Sequence, residues 1–225
     1  MHLTNKITTV VLFLILFSAK SNAQLFDEWA GRPNVSLKYK VSKSWTVEGT
    51  YYHYLEDNLK HYDKSVISLD VTYKFNSWLK AGIDYRYGLN SKKHYNDIRY
   101  SVTFDAPLSP KWKVAYRPMI QQEFVSLKKE ELVAKPIEYY WRNRITFSFD
   151  ATNSLELYLF TENYLEMGKG DLKFYRQKSA LGADYKIGRR NEVGARFEVI
   201  NKKNGKMIAR PNLSYTFTLG RVRQK

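Results

Sequence analysis

The chain predicts an all-β fold: an antiparallel, up-and-down transmembrane β-barrel of about twelve strands, with short periplasmic turns and longer external loops. Three features carry this expectation. The chain opens on an export signal, its apolar and polar residues then alternate with a period of two, and its aromatic residues gather where strands meet short turns.

The export signal comes first. Lys6 precedes an apolar run from Ile7 to Phe17, and Ser21-Asn22-Ala23 supplies small residues for a signal peptidase. The apolar run is too short to cross a bilayer as a helix. Residues 1–23 are therefore expected to be removed after Ala23, leaving 24–225 as a single outer-membrane barrel domain. No cysteine is present, so disulfides, thiolate metal sites and cysteine nucleophiles are excluded. Low mean hydropathy fits a barrel whose strands turn only every second residue to lipid.

Alternation then runs almost unbroken. Val35, Leu37 and Tyr39 alternate with Ser36 and Lys38, and Trp45, Val47 and Tyr51 with Thr46, Glu48 and Thr50. Ile67, Leu69 and Val71 oppose Ser68, Asp70 and Thr72, and Ile83 and Tyr85 oppose Asp84 and Arg86. Ile98, Tyr100 and Val102 oppose Arg99, Ser101 and Thr103, and Val114 and Tyr116 oppose Lys113 and Arg117. The same pattern marks runs around Tyr139–Asp150, Leu155–Phe160, Arg176–Tyr185, Glu192–Val199 and Asn212–Leu219. Short connections at 42–44, 76–77, 107–110, 151–154 and 188–190 alternate with longer ones at 57–64, 88–96, 125–136, 166–171 and 201–206. That segregation by length is the habit of outer-membrane barrels.

Aromatics mark the short-turn side. Trp45, Trp78 and Trp112 follow short turns, while Phe75, Phe104 and Phe149 precede them, and Phe217 lies near the end of the last strand. This reads as an interfacial girdle of Trp45, Trp112, Phe75, Phe104, Phe149 and Phe217, because these rings sit at strand ends rather than in a core. Trp78 has the parity of Lys80 and Asp84, so it requires a bulge or a place just outside its strand.

Eleven runs are visible, whereas bacterial single-chain barrels have an even number. A short strand over Leu25 to Gly31, turning at Arg32-Pro33-Asn34, would make twelve; ten results if the weakly patterned 166–178 region is misread. Pro118 and Pro211 fall inside strands, where each forfeits a ladder hydrogen bond, and bulges are expected there.

Several short motifs together resemble a known group. Trp29 after the signal, Lys43-Ser44-Trp45, Tyr85-Arg86-Tyr87-Gly88, Arg142-Asn143-Arg144 and Arg210-Pro211-Asn212-Leu213-Ser214-Tyr215 are similar to the domain of unknown function 2490 family (DUF2490). The resemblance covers essentially the whole mature chain. It implies a small outer-membrane barrel and brings no activity and no catalytic residue with it.

The formal charge is +15, and +13 once Lys6 and Lys20 leave with the signal. On the inward parity, the bases Lys74, Lys80, Arg86, Arg99, Lys113, Arg117, Arg142, Arg144, Arg176, Lys178, Lys186, Arg196 and Arg210 nearly balance the acids. Those acids are Glu48, Asp70, Asp84, Asp105, Glu123, Asp150, Glu156, Glu162, Asp184, Glu192 and Glu198. One reading is a charge-paired lumen that braces and plugs the barrel, built on Arg86, Arg117, Arg142, Arg144, Glu162, Arg196 and Glu198. The other is an anion pore or pocket organised by Arg86, Arg117, Arg142 and Arg144, whose planar forks hold carboxylate or phosphate. The excess positive charge falls in loops, turns and tail. Lys92-Lys93 and Lys202-Lys203 suit lipopolysaccharide phosphates, and Arg189-Arg190 and Arg221-Val222-Arg223 suit anionic headgroups.

Outer-membrane lipids, lipopolysaccharide and the barrel-assembly machinery are the expected partners, with oligomeric state unassigned. A nucleic-acid partner, the usual inference from a pI of 9.7, is set aside for an exported barrel. No cofactor or metal is expected. His61 and His94 fall in external loops and His53 on the lipid-facing parity, and neither Ser101 nor Ser148 belongs to a nucleophile elbow. The preferred function is therefore structural or passive solute passage. Loop-mediated binding around Tyr62, Tyr95 and Tyr164 is the second reading, and a lipid-modifying hydrolase using His61 or His94 the third.

Overall fold

The computed structural model describes residues 26–90, 93–127, 137–168 and 171–220. The export signal and its cleavage point lie outside these residues, as do Lys92, Arg221 and Arg223. Period-two patterning becomes twelve strands: β1 (Glu28–Trp29), β2 (Asn34–Lys40), β3 (Trp45–Glu56), β4 (His61–Lys74), β5 (Leu79–Leu89), β6 (Lys93–Pro107), β7 (Trp112–Leu127), β8 (Glu138–Asp150), β9 (Leu155–Met167), β10 (Leu172–Ile187), β11 (Asn191–Lys202) and β12 (Met207–Leu219). From β2 onward each strand pairs antiparallel with the next, the arrangement that tight connections allow.

Closure differs from the even-numbered expectation. β12 pairs with β2 in parallel, from Ser214↔Asn34 to Leu219↔Tyr39, so the ring holds eleven strands. β1 does not turn back at Arg32-Pro33-Asn34. It pairs with β12 in parallel (Glu28↔Ile208), and both pairings hold the same offset along β12, so β1 and β2 are two pieces of one interrupted first strand. The break is held from the other side by β3, where Gly31 and Leu55 exchange backbone hydrogen bonds of 2.8 and 2.9 Å and the His53 amide donates to the Pro33 carbonyl.

Neither proline produces a bulge. The β6–β7 register is unchanged across Pro118 and only the pairs involving Val102 and Thr103 are missing. The β11–β12 register runs straight through Phe197↔Pro211, and on its other side β12 meets the interruption between β1 and β2, where a missing N–H breaks no ladder. The irregularities lie instead at Tyr54/Leu55 in β3 and at Phe174/Arg176 in the β9–β10 pairing.

The two ends of the barrel also differ less than the loop lengths suggest. The turn end carries 41–44, 75–78, 108–111, 151–154 and 188–190. At the opposite, loop end, strands run into most of the segments expected as loops. β4 begins at His61, β6 at Lys93 and β10 at Leu172. Beyond the apolar zone both strand faces are polar, so alternation fades while the backbone ladder continues.

Face assignment holds around the ring. Outward residues form an apolar surface in which Ile67, Leu181 and Leu213 are 58%, 59% and 67% exposed. At the turn end, Trp45, Tyr73 and Phe75 form a chain of ring contacts with centroids 4.7 Å apart, and Trp112 meets Phe149 at 4.6 Å. Trp78 stands just outside β5 and stacks on Phe104, while Phe217 is only partly covered, on the outward side of β12. The buried side chains lie inside the barrel and are largely polar: Glu162, Glu198, Asp97, Arg142 and Tyr164 are almost fully enclosed.

Candidate functional site

The lumen is built from three carboxylates, each surrounded by guanidinium groups. On β9, the Oε1 of Glu162 accepts from Arg142 at 2.7 Å, and its Oε2 accepts from Arg144 at 2.9 Å and from the Tyr164 hydroxyl at 3.0 Å. The register explains this, because Arg144 lies directly opposite Glu162 and Arg142 opposite Tyr164 across β8–β9. Arg142 also donates to Gln121 on β7, and Lys178 on β10 donates to the Tyr164 hydroxyl at 2.7 Å.

On β11, Glu198 gathers three arginines. Arg32 donates to Oε1 at 3.0 Å, the Nε of Arg196 lies 2.9 Å from Oε1, and Arg210 donates to Oε2 through both Nε and Nη2. On β6, Asp97 pairs with Arg99 at 2.6 Å and lies 3.9 Å from Arg86, and Arg99 reaches Asp84 at 3.3 Å. A buried carboxylate is tolerable only with such partners, since a lone charge away from water costs several kcal/mol or more.

Aromatic rings join the clusters into a belt. Phe160 lies beneath both Arg144 and Arg196, at 4.3 and 5.7 Å, linking the Glu162 group to the Glu198 group. Tyr52 lies beneath Arg32 and Arg86, at 5.4 and 5.2 Å, linking the Glu198 group to the Asp97 group. Tyr164 carries Arg142 and Arg176 at 4.2 Å each. Every strand-borne arginine among the described residues takes part in these contacts except Arg117, which lines the cavity beside them, and Arg32 is added from the break between β1 and β2.

Toward the turn end the chemistry changes. Ion pairs there use lysine: Lys38 with Glu48 at 3.0 Å, Lys80 with Asp105 at 2.6 Å, and Lys113 with Asp150 at 3.0 Å. These groups are a quarter to a half exposed, against 1–3% for Glu162, Glu198 and Asp97 in the belt. Close packing occurs in this half as well. A Cβ on Gly182 would stand 2.4 Å from the Tyr158 ring, and one on Gly194 would stand 2.3 Å from the Asp184 carboxylate, so a side chain at either site would displace the Tyr158 or Asp184 side chain.

A cavity of about 2520 Å³ occupies the barrel. Its lining runs from Lys43 and Arg190 at the turn end to Glu56 and Lys206 at the loop end, past Arg86, Arg117, Arg142, Arg144, Arg196 and Glu198. Glu162 does not line it; its arginines stand in front of it.

The structure thus brings together Arg86, Arg142, Arg144, Glu162, Arg196 and Glu198, while Arg117 lines the same cavity with no ion pair among the described residues. Arg32, Asp97 and Tyr164 escape the sequence assignment. Each continues the inward parity of its strand, Arg32 ahead of Asn34, Asp97 ahead of Arg99 and Tyr164 beyond Glu162, but Arg32 and Tyr164 lie in stretches taken for a turn or loop and Asp97 falls between the expected connection at 88–96 and the run that opens at Ile98. The histidines stand apart: His61 pairs with Asp57 at 2.9 Å on the surface, His94 meets the Tyr87 hydroxyl, and His53 packs on Tyr62. Among the described residues no three metal-ligating side chains cluster.

The family model described as "Protein of unknown function (DUF2490)" matches residues 33–217. The chain belongs to the DUF2490 family. No curated protein matches this DUF2490 chain. Among solved structures, the barrel is similar to one titled "NanC porin structure in rhombohedral crystal form", with a TM-score of 0.51 and 8% identity over 80% of this chain and 89% of that one. A second similarity, to a "Bacterial polysaccharide outer membrane secretin", has a TM-score of 0.48 and 12% identity over 77% and 73%. At such identities the porin likeness concerns the fold of the DUF2490 barrel and not its solute.

Proposed function

We propose that this DUF2490 protein is an outer-membrane barrel through which small anionic solutes pass passively. The observation that carries the reading is the belt: arginines from β5 to β12 face a cavity whose lining extends from one end of the barrel to the other, while their three carboxylates, Glu162, Glu198 and Asp97, are almost wholly enclosed and Glu162 is off the lining altogether. Guanidinium groups facing water in a narrow, low-dielectric passage raise the local concentration of anions and repel cations. Membrane placement is supported by the outward apolar surface, far larger than a soluble monomer leaves uncovered, and by the aromatic chain at the turn end.

The turn end is then periplasmic and the signal is cleaved after Ala23, leaving one barrel domain over 24–225. The girdle of Trp45, Phe75, Phe104, Trp112, Phe149 and Phe217 meets the inner lipid interface, and Lys202-Lys203 faces lipopolysaccharide phosphates. The barrel-assembly machinery inserts it. Loop-mediated adhesion loses one of its anchors, because Tyr164 is 1% exposed inside the lumen.

The test is flux. Purified barrel reconstituted in liposomes is expected to need detergent throughout preparation and to admit small organic anions faster than cations of equal size. A detergent-free soluble monomer, or flux that prefers cations, would contradict the reading.

A further inference from the structure

Arg117 stands apart within the belt. It faces Arg144 directly across the β7–β8 pairing, and Arg142 lies two residues along on the same face. Like charges directly opposite on a sheet are unfavourable, and the local acids do not remove the conflict. Both oxygens of Glu162 are already engaged, Oε1 by Arg142 and Oε2 by Arg144 and Tyr164. Arg117 has no ion pair or hydrogen bond among the described residues; its Nε is buried without a hydrogen-bond partner, as are those of Arg142 and Arg144, but those two hold Glu162 through their other nitrogens and Arg117 holds nothing.

Geometry decides which way the surplus charge points. Arg117, Arg142 and Arg144 line the cavity and Glu162 does not, so a solute meets guanidinium groups with the carboxylate behind them. Arg144 is further held in place by the Phe160 ring, 4.3 Å from its guanidinium carbon. The site is therefore pre-organised, electropositive and short of one anion.

We propose that Arg117 and Arg144 form a binding subsite for a single oxyanion, the carboxylate or phosphate group of a small solute. This deepens the reading of the lumen as an anion path and rests on it. The solute's oxyanion would take the forked N–H groups that Glu162 leaves free, as carboxylates and phosphates do at paired arginines. It would supply the charge that the Arg117–Arg144 pair lacks.

Thermal unfolding of the detergent-solubilised full barrel tests this, with inorganic phosphate and acetate as probes against chloride at matched ionic strength. A saturable rise in melting temperature with phosphate, acetate or both is expected, because a ligand that binds only the folded state stabilises it. Arg117→Gln should weaken that response about tenfold or more, the loss of one charge-assisted hydrogen bond. Arg117→Lys, which keeps the charge and loses the fork, should lie between, and it serves if the glutamine variant does not fold. No rise beyond chloride, or a rise unchanged in both variants, would overturn the subsite. Anion preference in liposome flux would survive that failure, because the remaining belt arginines would still supply it. A phosphate response in a barrel that shows no anion preference would instead remove the path and leave the subsite standing.

Discussion

Replacing Glu162 by Gln tests whether the lumen is braced by its charges. The substitution keeps the shape of the side chain and one acceptor, and it removes the carboxylate that Arg142 and Arg144 share. Glu162 is 1% exposed, Arg142 4% and Arg144 22%. Breaking a buried pair from one side costs about 3–5 kcal/mol. Water reaching Arg144 from the cavity returns part of this, which puts the expected loss at about 2–4 kcal/mol. Urea unfolding of the reconstituted barrel, followed by tryptophan fluorescence, reads the loss as a lower midpoint at unchanged slope. Adding Arg142→Met should recover part of it, because removing both partners spares the orphaned charge. A Glu162→Gln barrel within about 0.5 kcal/mol of the parent, the range of ordinary surface substitutions, would refute the bracing argument.

Two further outcomes follow from the faces and the seam. Leu69→Arg, on the outward face, should impair insertion and cost about 2–4 kcal/mol near the midplane, whereas Thr72→Arg, on the lumen side, should be milder; equal yields of folded barrel would contradict the face assignment. Leu37 and Phe217 are direct partners in the parallel β2–β12 seam, and neighbouring strands lie about 4.8 Å apart, within disulfide reach. In a chain with no other cysteine, Leu37→Cys with Phe217→Cys should cross-link on oxidation and shift gel mobility. Failure to do so in the folded protein would argue against eleven-strand closure.

Strand identity was legible wherever the outward face is apolar, because apolar residues at every second position then leave a signal that neither Thr nor Lys obscures. It faded where strands rise past the apolar zone. His61 to Lys64 is polar on both parities, so β4 looks like a loop although its backbone pairs with β3 up to Glu56↔His61. Asp97 and Tyr164 were missed because they lie just beyond the ends of the runs that alternation marks, and Arg32 because Pro33 beside it suggests a turn. The prolines misled in a different way. Their lost hydrogen bonds fall at ladder gaps that depend on the neighbouring strand, as where β12 meets the break between β1 and β2. Which acid each arginine meets was only partly open to inspection. Parity places Arg144 and Glu162 on one face, but the capture of Arg32 by Glu198 requires the closure of β12 onto the first strand.

Whether the arginine belt makes the lumen an anion path is read from the reversal potential of single barrels in planar bilayers under a KCl gradient. Open-barrel current is expected with a reversal potential toward that of chloride, and with a smaller displacement when Arg117 and Arg144 are both changed to Gln. A barrel that carries no current, or one whose potential lies toward that of potassium, would contradict it.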